Sequence, residues 1–289
     1  MPHPPDIQSF FDPSTNTVSY VASDPNTGDC AIIDAVLDFD PRAGRTATRS
    51  AAAIIDYVRH HGLNPRWILE THVHADHLSA AQHLQQVLGG VVGIGEHVTD
   101  VQRVFADVFN LTAGLPADGS QFDRLFHDGE TFSIGKIPAR VLHTPGHTPA
   151  CVTYLIGDAA FVGDSLFMPD YGTARTDFPG GDARTLFRSI QRILALPSST
   201  RMFVGHDYGA PGRKRFAWET TVEEQRRANV HVRLGTDEEA FVLMRARRDA
   251  TLEMPTLILP SVQVNIRAGR FPPPETNGVH YLKIPVDVL

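Results

Sequence analysis

The chain has 289 residues, 42% hydrophobic and 20% charged, the proportions of an ordinary globular protein able to bury a core. A net charge of −7 argues against a general nucleic-acid binder, and two cysteines, Cys30 and Cys151, cannot build a disulfide framework. No run approaches the ~18 apolar residues of a membrane span, and "MPHPPDIQSFF" lacks a basic segment followed by an apolar one, so a cytoplasmic protein with no membrane partner is expected.

"TVSYVAS" and "CAIIDAV", separated by the turn-rich "DPNTGD", predict an antiparallel hairpin. "SAAAIIDYVRHHG" predicts a helix that stops at Gly62. "RWILE" follows as a short buried strand, and "THVHADH" (residues 71–77) begins at its C-terminal end. Ala81, Leu84 and Leu88 then recur at helical spacing, with Gly89 and Gly90 as the stop and "VVGIG" as the next strand. Val98, Val101, Phe105 and Val108 mark a core-facing helix, after which "TFSIG", "PARVLHT", "CVTYLIG" and "AAFVGD" predict strands. "DARTLFRSIQRILALP" predicts a helix capped by Asp182 and closed before Pro197, and "RMFVGH" a further strand. Thr221 with Glu224, and Thr236 with Glu239, have capping-box spacing and predict two more helix starts. From about residue 251 the chain is Pro-rich and expected to be irregular. The alternation predicts a single α/β domain over residues 1–289, a sandwich with helices outside.

"THVHADH" packs three of the chain's 14 histidines and one aspartate into seven positions. His72 and His74, two apart, point the same way in extended chain, and Asp76 and His77 follow as the chain turns. His147 in "HTPGHTPA", Asp164 in "FVGDS" and His206 in "FVGHDY" each follow a hydrophobic strand and sit beside Gly or Pro. Seven imidazoles and carboxylates at four strand ends point to a site for a divalent ion such as zinc, iron or manganese. His143 is near in sequence but lacks this loop context.

HxHxDH, the TPGHT histidine, the GD aspartate and the GH histidine, in this order, resemble the full ligand series of the metallo-β-lactamase superfamily. The resemblance implies an αββα sandwich with the site at one edge of its two sheets. Several chemistries share that fold. The missing signal, with Asp164 in the bridging position, argues against the secreted β-lactamases, and the acidic balance gives no support to the nucleases. Two branches remain, the two-zinc hydroxyacylglutathione hydrolases of glyoxalase II type and the one-iron persulfide dioxygenases. "LFMPDYGTARTDFPGGDARTLFRSI", "TPGHTPAC" with Cys151, and "LPSVQVNIRAG" resemble the dioxygenases, in a bacterial stand-alone form without a rhodanese-like domain.

That resemblance implies one Fe(II) per chain on His72, His147 and Asp164. Glutathione persulfide and O2 would be the substrates, sulfite and glutathione the products, and the assembly a homodimer or larger. His74, Asp76, His77 and His206 are expected to orient ligands and waters, or to hold a second metal together with Asp164. Tyr208 is expected to donate a hydrogen bond to substrate or oxygen. Arg175 is the first choice for a glutathione carboxylate, with an internal ion pair to Asp177 or Asp170 as the alternative. Asn265 and Arg267 match the family's C-terminal segment and either contact glutathione or brace the loop. "GRKR" at 212–215 is expected to be a solvated basic turn.

Overall fold

The computed structural model describes residues 4–111 and 114–288. One six-stranded sheet runs in the order Asp6–Asp12, Thr17–Ser23, Asp29–Ile33, Asn64–Leu69, Val91–Gly95, Arg124–Phe126. The other runs Thr131–Ile134, Ile137–His143, Val152–Ile156, Ala159–Phe161, Arg201–Phe203, Glu219–Thr221. A small three-stranded sheet joins Arg45–Ala47, Val36–Asp40 and Leu78–Ser79.

Side-chain alternation along the strands assigns the layers. Ala31 and Ile33 enter a core shared by both large sheets, whereas Cys30 and Ile32 enter a core shared with the helices Arg49–His60, Ala81–Leu88 and Val98–Val108. In the second sheet Phe161 and Phe203 face the shared core, while Ala160, Val162, Met202 and Val204 pack against the helix Ala183–Leu194. Three cores therefore separate four layers, helix–sheet–sheet–helix, which is the αββα sandwich. Central strands such as Asp29–Ile33 and Val152–Ile156 carry apolar side chains on both faces because both faces are covered, whereas Ile137–His143 exposes Pro138 and Arg140.

The predicted hairpin forms, with Tyr20 opposite Ile33 and Ser23 opposite Cys30. "CAIIDAV" is two strands rather than one, because Asp34 takes a left-handed backbone (φ 50°) between Ile33 and Val36. Asp182 caps its helix as expected, its carboxylate accepting from the Thr185 N–H at 2.7 Å. Thr221 likewise accepts from the Glu224 N–H at 3.1 Å. The expectation for Thr236 is one residue off: Asp237 is the cap and accepts from the Ala240 N–H at 3.1 Å. The segment expected to be irregular contains a buried helix, Ile258–Asn265. Pro260 sits in its first turn, where a helix needs no N–H, so the proline is compatible with it.

Candidate metal centre

The donors arrive by strand ends that share one edge of the sandwich. Asp29–Ile33 and Asn64–Leu69 are parallel neighbours, so Asp34 and the Glu70–His72 segment emerge side by side. The Asp34 carboxylate accepts from the Thr71 N–H at 2.7 Å and from its hydroxyl at 2.8 Å, which locks this exit. Ala159–Phe161 and Arg201–Phe203, also parallel, deliver Asp164 and His206. At Gly205 a Cβ would lie 2.7 Å from Asp164 Oδ1, and at Gly146 2.3 Å from the Leu186 backbone, so glycine is what lets these loops close.

His72, His147 and Asp164 bring one donor atom each within 4.8 Å of one another, and all three are buried. Asp164 Oδ2 is 3.9 Å from His72 Nε2 and 3.7 Å from His147 Nε2. Two atoms bound to one ion at about 2.1 Å can be no more than about 4.2 Å apart, so both spacings fit. Hydrogen bonds fix the protonation of the rings. Thr71 gives its only hydroxyl proton to Asp34, so His72 Nδ1, 3.0 Å away, must be the N–H that donates to Thr71 Oγ1. His147 Nδ1 faces the Arg175 carbonyl at 2.8 Å and must donate too. Each ring thus presents a lone pair at Nε2, and His72 Nε2 has no other partner among the described residues. Burial holds both pKa values below the usual imidazole range, for His72 well below it, so both rings stay neutral as ligation requires.

A second donor set adjoins the first. His74, Asp76 and His206 also converge within 4.8 Å. His206 Nε2 lies 3.4 Å from Asp76 Oδ2 and 3.3 Å from Asp164 Oδ1, so Asp164 faces both sets. His77 stands beside them, buried, with Nδ1 3.3 Å from Asp76 Oδ2 and no partner for Nε2 among the described residues. His74 is held differently. Its Nε2 lies 3.0 Å from Asp34 Oδ1 and 3.4 Å from Glu70 Oε2 in a buried triad. Burial opposes a charge on His74, but the Asp34 carboxylate, with Glu70, outweighs it and raises the pKa well above the usual range. Asp34 and Glu70 were not singled out from the sequence. The signal was the one that marked Asp164, an acid at the end of a buried strand, in "CAIID" and "RWILE".

The metal donors open onto a cavity of about 800 Å³ whose walls include Asp76, His77, His147, Asp164 and Tyr208. Tyr208 stacks on His206 at 5.3 Å. Arg175 also borders the cavity, but its guanidinium is engaged by both oxygens of Asp177, at 2.6 and 2.7 Å, and donates to the Glu253 carbonyl. The internal pair is therefore the arrangement present, with Asp177; Asp170 pairs with Arg213 instead. Asn265 and Arg267 are buried away from the cavity. Asn265 accepts from the Ser79 N–H and donates to the His74 and His77 carbonyls, all at 2.8 Å, so it braces the histidine loop. Arg267 reaches the Gly114 carbonyl at 3.3 Å. The 212–215 turn is not simply solvated, because Arg213 grips the buried Asp207 next to His206. His143 stacks on His97, apart from the donors.

These donors on this sandwich define a metal-dependent enzyme superfamily. The profile of the metallo-beta-lactamase superfamily matches residues 13–206, and the chain belongs to that superfamily and has its fold. A probable metallo-hydrolase of Burkholderia pseudomallei is 56% identical over 98% of this chain and 99% of its own. A beta-lactamase hydrolase-like protein of Agrobacterium fabrum is 58% identical over 99% of this chain, which spans only 65% of that protein. Glyoxylase B2 of Dictyostelium discoideum is 48% identical over 98% and 97% of the two chains. The mitochondrial persulfide dioxygenase ETHE1 of Bos taurus is 30% identical over 93% and 90%. Among solved structures, ETHE1 from Myxococcus xanthus superposes with a TM-score of 0.73 at 28% identity, covering 92% of this chain and all of that one. No helix among the described residues is long and apolar enough to cross a membrane.

Proposed function

We propose that the chain is a glutathione persulfide dioxygenase using one Fe(II), held by His72, His147 and Asp164. The observation that carries this reading is the convergence of His72, His147 and Asp164, whose donor atoms lie within 4.8 Å of one another with a lone pair presented at Nε2 of each ring. His74 Nε2 is taken up by Asp34 and Glu70 instead. Two neutral imidazoles and one carboxylate are the donor set of non-haem iron oxygenases. Iron(II) can give an electron to O2, which zinc cannot. The overall reaction takes glutathione persulfide, O2 and water to glutathione, sulfite and two protons. Likeness to ETHE1 from two organisms supports it, as does a cavity of a size for a tripeptide. In it Asp34 and Thr71 fix the His72 tautomer, and the Arg175 carbonyl fixes that of His147. The Tyr208 ring borders the reacting space and presents a hydroxyl to substrate.

A second reading has its own support. The adjoining set His74, Asp76 and His206, with Asp164 between the two, suits a two-metal hydrolase, and a relative of greater identity is named a glyoxylase. Anaerobic metal analysis with substrate assays decides between them. About one iron per chain with O2 uptake on glutathione persulfide supports the dioxygenase. Two zincs per chain, turnover of S-lactoylglutathione and no O2 uptake would refute it.

A further inference from the structure

The cavity is bordered by five arginines, and three of them are paired with carboxylates. Arg175 is taken by Asp177, and Arg245 is buried and paired with Asp249. Arg49 lies 3.5 Å from Asp38, whereas Arg45, on the short strand Arg45–Ala47, has neither a carboxylate within ion-pair distance among the described residues nor an aromatic ring beneath it. Arg248, on the helix Glu238–Asp249, has no carboxylate within ion-pair distance among the described residues, and its guanidinium lies 5.8 Å from the centre of the Tyr171 ring. Tyr171 is 5.3 Å from Tyr208, which is 5.3 Å from His206. A continuous aromatic wall thus leads from the metal donors to Arg248, which distinguishes it from Arg45.

We propose that Arg248, seated on Tyr171, is the specificity-determining residue that receives a terminal carboxylate of a peptide thiol bound with its sulfur at the metal centre. This rests on the reading of the substrate as a glutathione derivative. In an extended tripeptide at ~3.5 Å per residue, the terminal carboxylates lie roughly 7–10 Å from the central sulfur, so a chain lying along Tyr208 and Tyr171 points a carboxylate toward this arginine. A guanidinium placed over an aromatic ring still has N–H groups to offer a carboxylate, and less side-chain freedom is lost on binding. A small persulfide with no carboxylate gains nothing from this wall, which favours the tripeptide over inorganic or cysteamine persulfides. Arg248 is solvent-exposed and makes no contact in a core, so its substitution leaves the fold intact.

The test uses three unreactive thioethers and titration calorimetry on the metal-loaded protein: S-methylglutathione, its glycyl ethyl ester, and S-methylcysteinylglycine, which lacks the γ-glutamyl carboxylate. Arg248→Ala is expected to weaken S-methylglutathione about 10- to 100-fold, the range for loss of a charge-assisted pair. It should leave unchanged the analogue lacking the recognised carboxylate, which identifies that carboxylate. Arg248→Lys should fall between, since it keeps charge without the fork. Unaltered binding of S-methylglutathione by Arg248→Ala, or equal loss on all three ligands, overturns the proposal. Oxygen uptake by the wild-type protein separates this from the substrate reading. Arg248-dependent binding without O2 uptake retains the subsite and sinks the dioxygenase, whereas O2 uptake with an indifferent Arg248→Ala does the reverse.

Discussion

Asn265→Ala tests whether the C-terminal helix holds the histidine loop or touches substrate. The side chain is buried and makes three hydrogen bonds of 2.8 Å, to the Ser79 N–H and to the His74 and His77 carbonyls. Truncation leaves three buried backbone groups without partners, each costing about 1–3 kcal/mol. Allowing for partial rescue by water, the loss is about 3–6 kcal/mol, a large part of a typical folding stability. For 289 residues the unfolding entropy near Tm is about 0.6 kcal/mol/K, so Tm should fall by roughly 5–10 °C. The assay is thermal unfolding of the metal-free protein, so that metal affinity does not enter. Asn265→Asp should be nearly as damaging, because a carboxylate keeps the Ser79 bond but faces two carbonyls it cannot donate to. A shift under about 2 °C together with a raised KM would refute the bracing argument and put Asn265 in contact with substrate.

Alanine at His72, His147 or Asp164 should abolish both metal retention and activity, as read by anaerobic metal analysis. His74→Ala should keep the metal but lower stability by about 3–5 kcal/mol, since it strands Asp34 and Glu70; metal loss as complete as in His72→Ala would show that four side chains bind it. Arg175→Ala should raise KM with metal content intact, and Asp177→Asn should reproduce the effect if the pair shapes the loop; an unchanged KM in both points to a purely structural pair. Burial pushes the Cys30 and Cys151 thiols up to about 12, so neither should react with a thiol reagent at pH 8 until the protein is unfolded. Because the unfolded thiols ionise first, their contribution is fully present below pH ~8.5 and stability falls as pH climbs above it; rapid labelling of native protein contradicts this.

Most of the architecture was legible because both large sheets are covered on both faces, which turns their strands into compact apolar runs such as "CVTYLIG". The donors were legible because each lies in the short loop that follows such a run. Other features depended on contacts invisible in one dimension. The helix at Ile258–Asn265 is rich in β-branched residues and carries a proline, and only packing against the helices and the 78–79 strand makes it helical. Arg175 sits in the same stretch as its partner, yet sequence could not choose between Asp177 and Asp170, because the choice follows from how the loop folds over Phe178. Asp34 escaped notice because it lies 40 residues from His74, and only the parallel pairing of two strands joins them.

The bridge from Asn265 to the histidine loop spans 191 and 188 residues of chain. Ribosomes add roughly 5–20 residues per second. The loop carrying His72 to His77 therefore exists for about 10–40 s before its brace is synthesised. The first donor set is complete only at residue 164 and the second at residue 206, and the loop beneath them is unsecured until residue 265. The first donor set thus precedes its brace by about a hundred residues, and a firmly held histidine loop is a product of nearly the whole chain.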